Sequence, residues 1–105
     1  MAVAEAAPVF AALGDELRLR LVARLGSDGP LSIVRLTAGT DVTRQGVTKH
    51  LQVLADAGLA HSFRRGRERL WQLDPRPLGE ARAYLEDLSR QWDEALVRLK
   101  TSVEG

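Results

Sequence analysis

Thr43-Arg44-Gln45-Gly46-Val47-Thr48-Lys49-His50-Leu51-Gln52-Val53-Leu54-Ala55-Asp56-Ala57-Gly58 carries two messages at once. Val47, Leu51 and Leu54 recur at i, i+4 and i+7, the spacing that lines one side of an α-helix with apolar groups. At about 100° per residue, Gln45, Thr48, Lys49 and Gln52 project from the opposite side. Thr43 is a favourable N-cap and Gly58 a favourable terminator, so the spacing predicts a helix from about Thr43 to Ala57. Its outward face offers amide, hydroxyl and ammonium groups and no carboxylate before Asp56, a surface able to read a polyanion. A merely solvated face is the plain alternative, and the flanking segments weigh against it.

Working outward, the segment before this helix reads as a short helix capped by Ser32, with Ile33, Val34 and Leu36 inside it and Gly39 placed for a left-handed C-terminal cap. Two helices joined by so tight a turn have the layout of a helix-turn-helix over about residues 32–57. Further upstream, Val9, Phe10 and Leu13 suggest a first helix from Pro8 to Leu13. Asp15 then caps a second, in which Leu17, Leu21 and Leu25 repeat every four residues until Gly26 and Ser27-Asp28-Gly29-Pro30 end it.

Downstream, the period changes. Leu59-Ala60-His61-Ser62-Phe63 and Leu70-Trp71-Gln72-Leu73 read as two strands of a hairpin over about residues 59–73, reversed at Gly66 within Arg64-Arg65-Gly66-Arg67-Glu68-Arg69. Four arginines on one hairpin, immediately after a helix-turn-helix, make a basic wing. Phe63, Trp71 and His61 are expected to pack rather than to stack on bases. After Asp74-Pro75-Arg76-Pro77, a last helix of about residues 76–101 places Leu78, Ala81, Leu85, Leu88, Trp92, Ala95 and Leu99 at alternating spacings of three and four, the a/d pattern of a coiled coil. That seam is longer than a small domain needs to close its own core, which points to the same helix of a second subunit. The fold class expected is therefore mostly α with a small β-hairpin wing: a winged helix-turn-helix that dimerises through its terminal helices. The dimer surface is assigned to Phe10, Leu85, Leu88, Trp92, Leu96 and Leu99.

Composition sets the outer limits. At 105 residues, the expectation is one domain around one core over residues 1–105. The absence of cysteine excludes disulfides, thiolate nucleophiles and Cys-based metal centres, and only His50 and His61 remain as imidazole ligands. No metal or cofactor is expected. Oxygen ligands such as Asp87, Asp93 or Glu94 would hold only a hard cation, and weakly. With no Gly-rich phosphate loop and no nucleophile set beside a base, catalysis has no candidate. The N-terminal stretch lacks a basic leader and no run reaches membrane-spanning length, so the expected location is the cytoplasm. Net charge is only +1, yet Thr43 to Leu73 holds six basic residues against two acidic ones. A basic middle in an otherwise slightly acidic chain marks a localised anion-binding face.

Four pieces in order, Val9 to Leu21, Thr43 to Leu54, Ala57-Gly58-Leu59 and Gly66-Arg67-Glu68, resemble the ArsR family of dimeric bacterial repressors over about Val9 to Leu99. Where arsenic- and cadmium-responsive members carry Cys-x-Cys in the third helix, this chain has Ser32-Ile33-Val34, and its last helix contains no histidine. Leu73-Asp74-Pro75 and the Trp92, Leu96, Leu99 series look more like the subgroup without metal ligands. The resemblance implies DNA binding without metal sensing, with repression as the output; any small-molecule effector stays unassigned.

Roles follow from how a helix-turn-helix enters the major groove, second helix first by its N-terminus. Arg44, Gln45, Thr48 and Lys49 then meet base edges and flanking phosphates, with Arg44 suited to guanine and Gln45 to adenine. Thr43 caps the helix beside a phosphate held by free N–H groups. Arg65 and Arg67 reach the backbone or the adjacent minor groove. His50 lies at the edge of the buried stripe and is open to two readings, a phosphate ligand or a hydrogen-bonded structural histidine. The expected function is a homodimeric repressor on double-stranded DNA with a palindromic operator; the rival is a winged-helix dimer that docks an acidic protein.

Overall fold

The structure, a computed structural model, describes residues 1–104. Five helices and three strands follow in the order α1 (Val3–Leu13), α2 (Glu16–Asp28), β1 (Leu31–Ser32), α3 (Ile33–Ala38), α4 (Arg44–Asp56), β2 (Ala60–Arg65), β3 (Glu68–Leu73) and α5 (Arg76–Glu104). The core lies where α2, α3, α4 and the sheet converge. Leu21, Leu36, Val47, Leu51, Leu54 and Leu59 are its fully enclosed side chains, with Leu25, Leu31 and Trp71 around them. The i, i+4, i+7 stripe of α4 is thus the centre of the molecule, and Trp71 belongs to the core as expected.

The first helix begins five residues before the expected Pro8. An alanine-rich run has the highest helix propensity of any composition, and Ala6 joins Val9 and Ala12 on the buried side. Pro8 therefore sits inside α1 rather than at its start. α2 likewise runs through Gly26 to Asp28 and is closed at Gly29, whose N–H donates to Leu25 O at 3.1 Å. Its start is as read: Asp15 accepts the Arg18 N–H at 3.0 Å.

Gly39 does not adopt the left-handed cap expected of it. Its φ is −89°, and its lack of a side chain makes room instead. A Cβ there would lie 2.7 Å from Arg24 Nη1, the atom that donates to the carbonyls of Arg35 and Leu36 at 3.1 Å each. A guanidinium from α2 thereby satisfies two of the carbonyls that the end of α3 leaves free. The left-handed conformation appears at Gly58, φ +76°, where the N–H of Gly58 and of Leu59 return to Ala55 O and Leu54 O at 2.9 Å. This pair of hydrogen bonds ends α4 and turns the chain into the wing.

The sheet order is β1-β3-β2, all antiparallel. Strand β1 went unread in the sequence because two residues carry no period. It sets Leu31 opposite Trp71 and Ser32 opposite Leu70, stitching the wing to the start of α3. Ser32 serves both elements, since its Oγ also accepts the Arg35 N–H at 3.3 Å. Between wing and last helix, Asp74 accepts the Arg76 N–H at 3.1 Å and its guanidinium at 2.7 Å. That pairing holds the Asp74 carboxyl down at about 2.

α5 departs from the compact body. Of its 29 residues only Ala81 is buried, and at 1.5 Å per residue it is about 43 Å long. The molecule measures 68 × 25 × 23 Å with a radius of gyration of 18.2 Å, against roughly 13 Å for a compact chain of this length. None of the described helices is long and apolar enough to cross a membrane.

Gly58→Ala forces a side chain into the left-handed region and is expected to cost about 1–2 kcal/mol in a denaturant titration. An unchanged midpoint would mean that the α4 terminus tolerates another turn geometry.

Candidate nucleic-acid interface

The face of α4 opposite the buried stripe is open. Arg44, Gln45, Thr48, Lys49 and Gln52 are all exposed along it, and its sole carboxylate, Asp56, is bound by Gln52 Nε2 at 2.9 Å. Thr43 caps the helix as expected, its Oγ1 accepting the Gly46 N–H at 3.1 Å. Thr48 gives its hydroxyl proton to Arg44 O at 2.8 Å. Its remaining lone pairs are then acceptors, matched to amino groups of cytosine or adenine, and its methyl group to thymine.

Gly46 has a packing reason. A Cβ there would stand 2.5 Å from Val42 Cγ1 and 3.3 Å from the capping Thr43 Oγ1. Val42 is β-branched and stiff, so the turn between α3 and α4 folds tightly over the first turn of α4 only because residue 46 has no side chain.

His50 does not share the open face. It is half-buried, and its Nδ1 lies 3.1 Å from Arg18 Nη1 and 3.8 Å from Asp15 Oδ2, at the corner where α1 meets α2. The Arg18 N–H bonded to Asp15 holds that carboxyl below the usual carboxylate range. This hydrogen bond is the one that the structural reading of His50 calls for.

In the wing, Arg65 and Arg67 flank Gly66 at the tip and are exposed. The two-residue loop Gly66-Arg67 has a positive φ, +63°, at its first position only, the type II′ pattern that matches the twist of a hairpin. Register then places Arg64 opposite Arg69. Like charges directly across a ladder are unfavourable, and here Arg69 is drawn toward Ser62 Oγ at 2.8 Å. This second cationic pair was missed because residue type alone does not reveal register; treating Gly66-Arg67 as a two-residue loop would have exposed it. Phe63 is half-buried rather than core, with the Arg65 guanidinium 5.7 Å above its ring.

The residues assigned to a dimer surface lie elsewhere. Phe10 stands against Tyr84 with ring centroids 6.0 Å apart and helps line an open groove of about 530 Å³ with Leu13, Leu78, Ala81 and Leu85. Leu85, Leu88, Trp92, Leu96 and Leu99 are exposed along α5, Trp92 at 63%.

Comparison with known proteins agrees with this geometry. A helix-turn-helix domain family matches residues 13–62. The HTH-type transcriptional regulator Rv2034 of Mycobacterium tuberculosis is 40% identical over 85 residues, which cover 81% of this chain and 76% of that one. An ArsR-like transcriptional regulator from Rhodococcus sp. RHA1 superposes with a TM-score of 0.82 at 35% identity, covering 93% and 92% of the two chains. The chain belongs to the ArsR family of winged helix-turn-helix transcriptional regulators. As an ArsR-family protein without cysteine, it falls with the members that lack the metal-binding thiolates. The homodimeric winged helix-turn-helix DNA-binding domain of Mb0332 from Mycobacterium bovis shares the fold at a TM-score of 0.67 and 19% identity, over 89% and 85% of the chains.

Within this ArsR-family fold the cap of α4 makes a direct prediction. Thr43→Ala removes the acceptor for Gly46 N–H and is expected to lower stability by about 1 kcal/mol, whereas Thr43→Ser retains it. Equal urea midpoints for the two variants would refute the capping role.

Proposed function

We propose that this regulator is a homodimeric repressor that grips a two-fold symmetric DNA site without sensing a metal. The observation that carries the proposal is the open, polar and basic face of α4, a helix that itself packs against strand β2 of a wing ending in Arg65-Gly66-Arg67. Arg44, Gln45, Thr48 and Lys49 take base edges and adjacent phosphates, with Thr43 at the phosphate-facing end of α4. The wing arginines 65 and 67, together with Arg64 and Arg69, neutralise backbone phosphates and supply affinity and register. His50 supports α4 from behind.

Dimerisation is supported by the stripe on α5. It enters the core at Leu78 and Ala81, passes Leu85 at the groove shared with Phe10, and continues as Leu88, Trp92 and Leu99, exposed and uncovered by any element among the described residues. So long an apolar seam in water is best covered by its own copy, with Phe10 and the groove beside Tyr84 at the near end. The homodimeric description of the M. bovis relative favours the same arrangement. Two copies of α4 then face half-sites about one helical turn apart. Occupying a promoter blocks transcription, the output that the family's regulators suggest.

Selection of bound duplexes from a random pool is expected to enrich a two-fold symmetric site. Arg44→Ala should relax one base pair per half-site at a cost of roughly 1–3 kcal/mol, while Arg67→Ala should weaken all sequences alike and reduce the salt slope by about 0.9. Reversed behaviour would exchange their roles, and failure to enrich any sequence would leave the wing as a protein-docking surface. Trp92→Ala should shift sedimentation toward monomer and weaken operator binding with it; a full-strength dimer would move the interface off α5.

A further inference from the structure

The guanidinium of Arg18 occupies a junction of three helices. Its Nε donates to Ala12 O at 2.5 Å and its Nη2 to Ala11 O at 3.3 Å, both carbonyls in the last turn of α1. Its Nη1 donates to His50 Nδ1 at 3.1 Å, in the middle of α4. The group is itself held in place, because the Arg18 backbone N–H is the one that Asp15 caps. Each of the three contacts uses a different nitrogen of one rigid plane, so they fix direction as well as distance.

We infer that Arg18 is a positioning residue for DNA reading: through His50 it locks α4 to the α1–α2 corner and so sets how the Arg44, Gln45, Thr48 and Lys49 face is aimed. His50 follows Thr48 and Lys49 directly and lies on the opposite side of α4 from Gln45 and Gln52, so a bond there resists rotation of the helix about its own axis. The hydrophobic stripe does this less well, since apolar contacts are not directional. The Arg18 bond requires Nδ1 as acceptor, which places the ring proton of neutral His50 on Nε2. The same guanidinium ties α4 to α1, whose Phe10 packs on Tyr84 of α5. This assignment rests on the DNA-reading role proposed above, and it replaces a direct phosphate contact for His50.

The test compares His50→Phe, which keeps a ring without an acceptor, with His50→Asn, whose Oδ1 stands where Nδ1 does. Arg18→Met and the Arg18→Met/His50→Phe double variant complete a cycle. On the selected duplex, Arg18→Met and His50→Phe are each expected to bind about tenfold more weakly. His50→Asn should stay within about threefold of the parent, and the double variant should be no weaker than the weaker single variant. On random duplex of the same length all should bind alike. Multiplying losses, or an Asn variant as weak as the Phe variant, would overturn the lock and make His50 a contact in its own right. Hydrogen exchange on the free protein gives a reading that needs no operator: α4 amides should exchange faster in His50→Phe and Arg18→Met, and not in His50→Asn, with the wing strands as internal reference. Unchanged α4 protection in both weakened variants would refute the lock. Should the parent enrich no duplex, the operator reading fails while the exchange experiment still decides the role of Arg18.

Discussion

Burial of Val47, Leu51 and Leu54 decides which side of α4 meets water. Each is fully enclosed, and each contributes about 1.5–3 kcal/mol by leaving solvent. Turning the helix by half a revolution would forfeit on the order of 5 kcal/mol or more, a large share of the roughly 5–15 kcal/mol that holds a domain together. The polar face has no freedom to turn inward. The face proposed to read DNA is therefore selected by what is buried, and the other elements serve to define that choice more sharply. Gly46 lets the preceding turn close over the helix start, Thr43 caps it, Gly58 ends it, and Arg18 fixes its azimuth through His50.

A second constraint works against solubility of the single chain. The stripe on α5 that begins in the core at Ala81 runs on past Trp92 with no covering element among the described residues. Ion pairs such as Arg82 with Glu86 at 2.9 Å line other positions of the helix and leave the apolar stripe undisturbed. Charge on the flanks and apolar groups along one seam are the marks of a helix made to meet another helix. For a domain proposed to read DNA with one short helix, the proposed pairing also answers a question of affinity. Two half-sites held at a fixed spacing add their contacts, and the second engages at a high effective concentration.

Most of this was legible in the sequence wherever a period or a cap carried it. The 3.6-residue stripe of α4, the Thr43 and Asp15 caps, the reversal at Gly66 and the seam of α5 each follow from local rules. The exceptions share a cause: they depend on partners distant in the chain. Pro8 looked like a helix start because the packing of Ala6 was invisible. Gly39 looked like a left-handed cap because Arg24, fifteen residues earlier, could not be seen to need the space. β1 was too short for a pattern, and the Arg64–Arg69 pairing needed register. His50 stayed ambiguous for the same reason, since its answer lies with Arg18, thirty-two residues away.

Under the proposed function, paired α5 helices set the distance between two α4 reading heads. Affinity for the selected duplex, compared with versions carrying five base pairs inserted between its half-sites, measures that coupling. That insertion turns one half-site to the opposite side of the double helix. Coupled half-sites should lose the specific component of binding, down to the level of random DNA. Undiminished affinity after the insertion would mean that each chain reads its half-site independently, and would contradict the coupling.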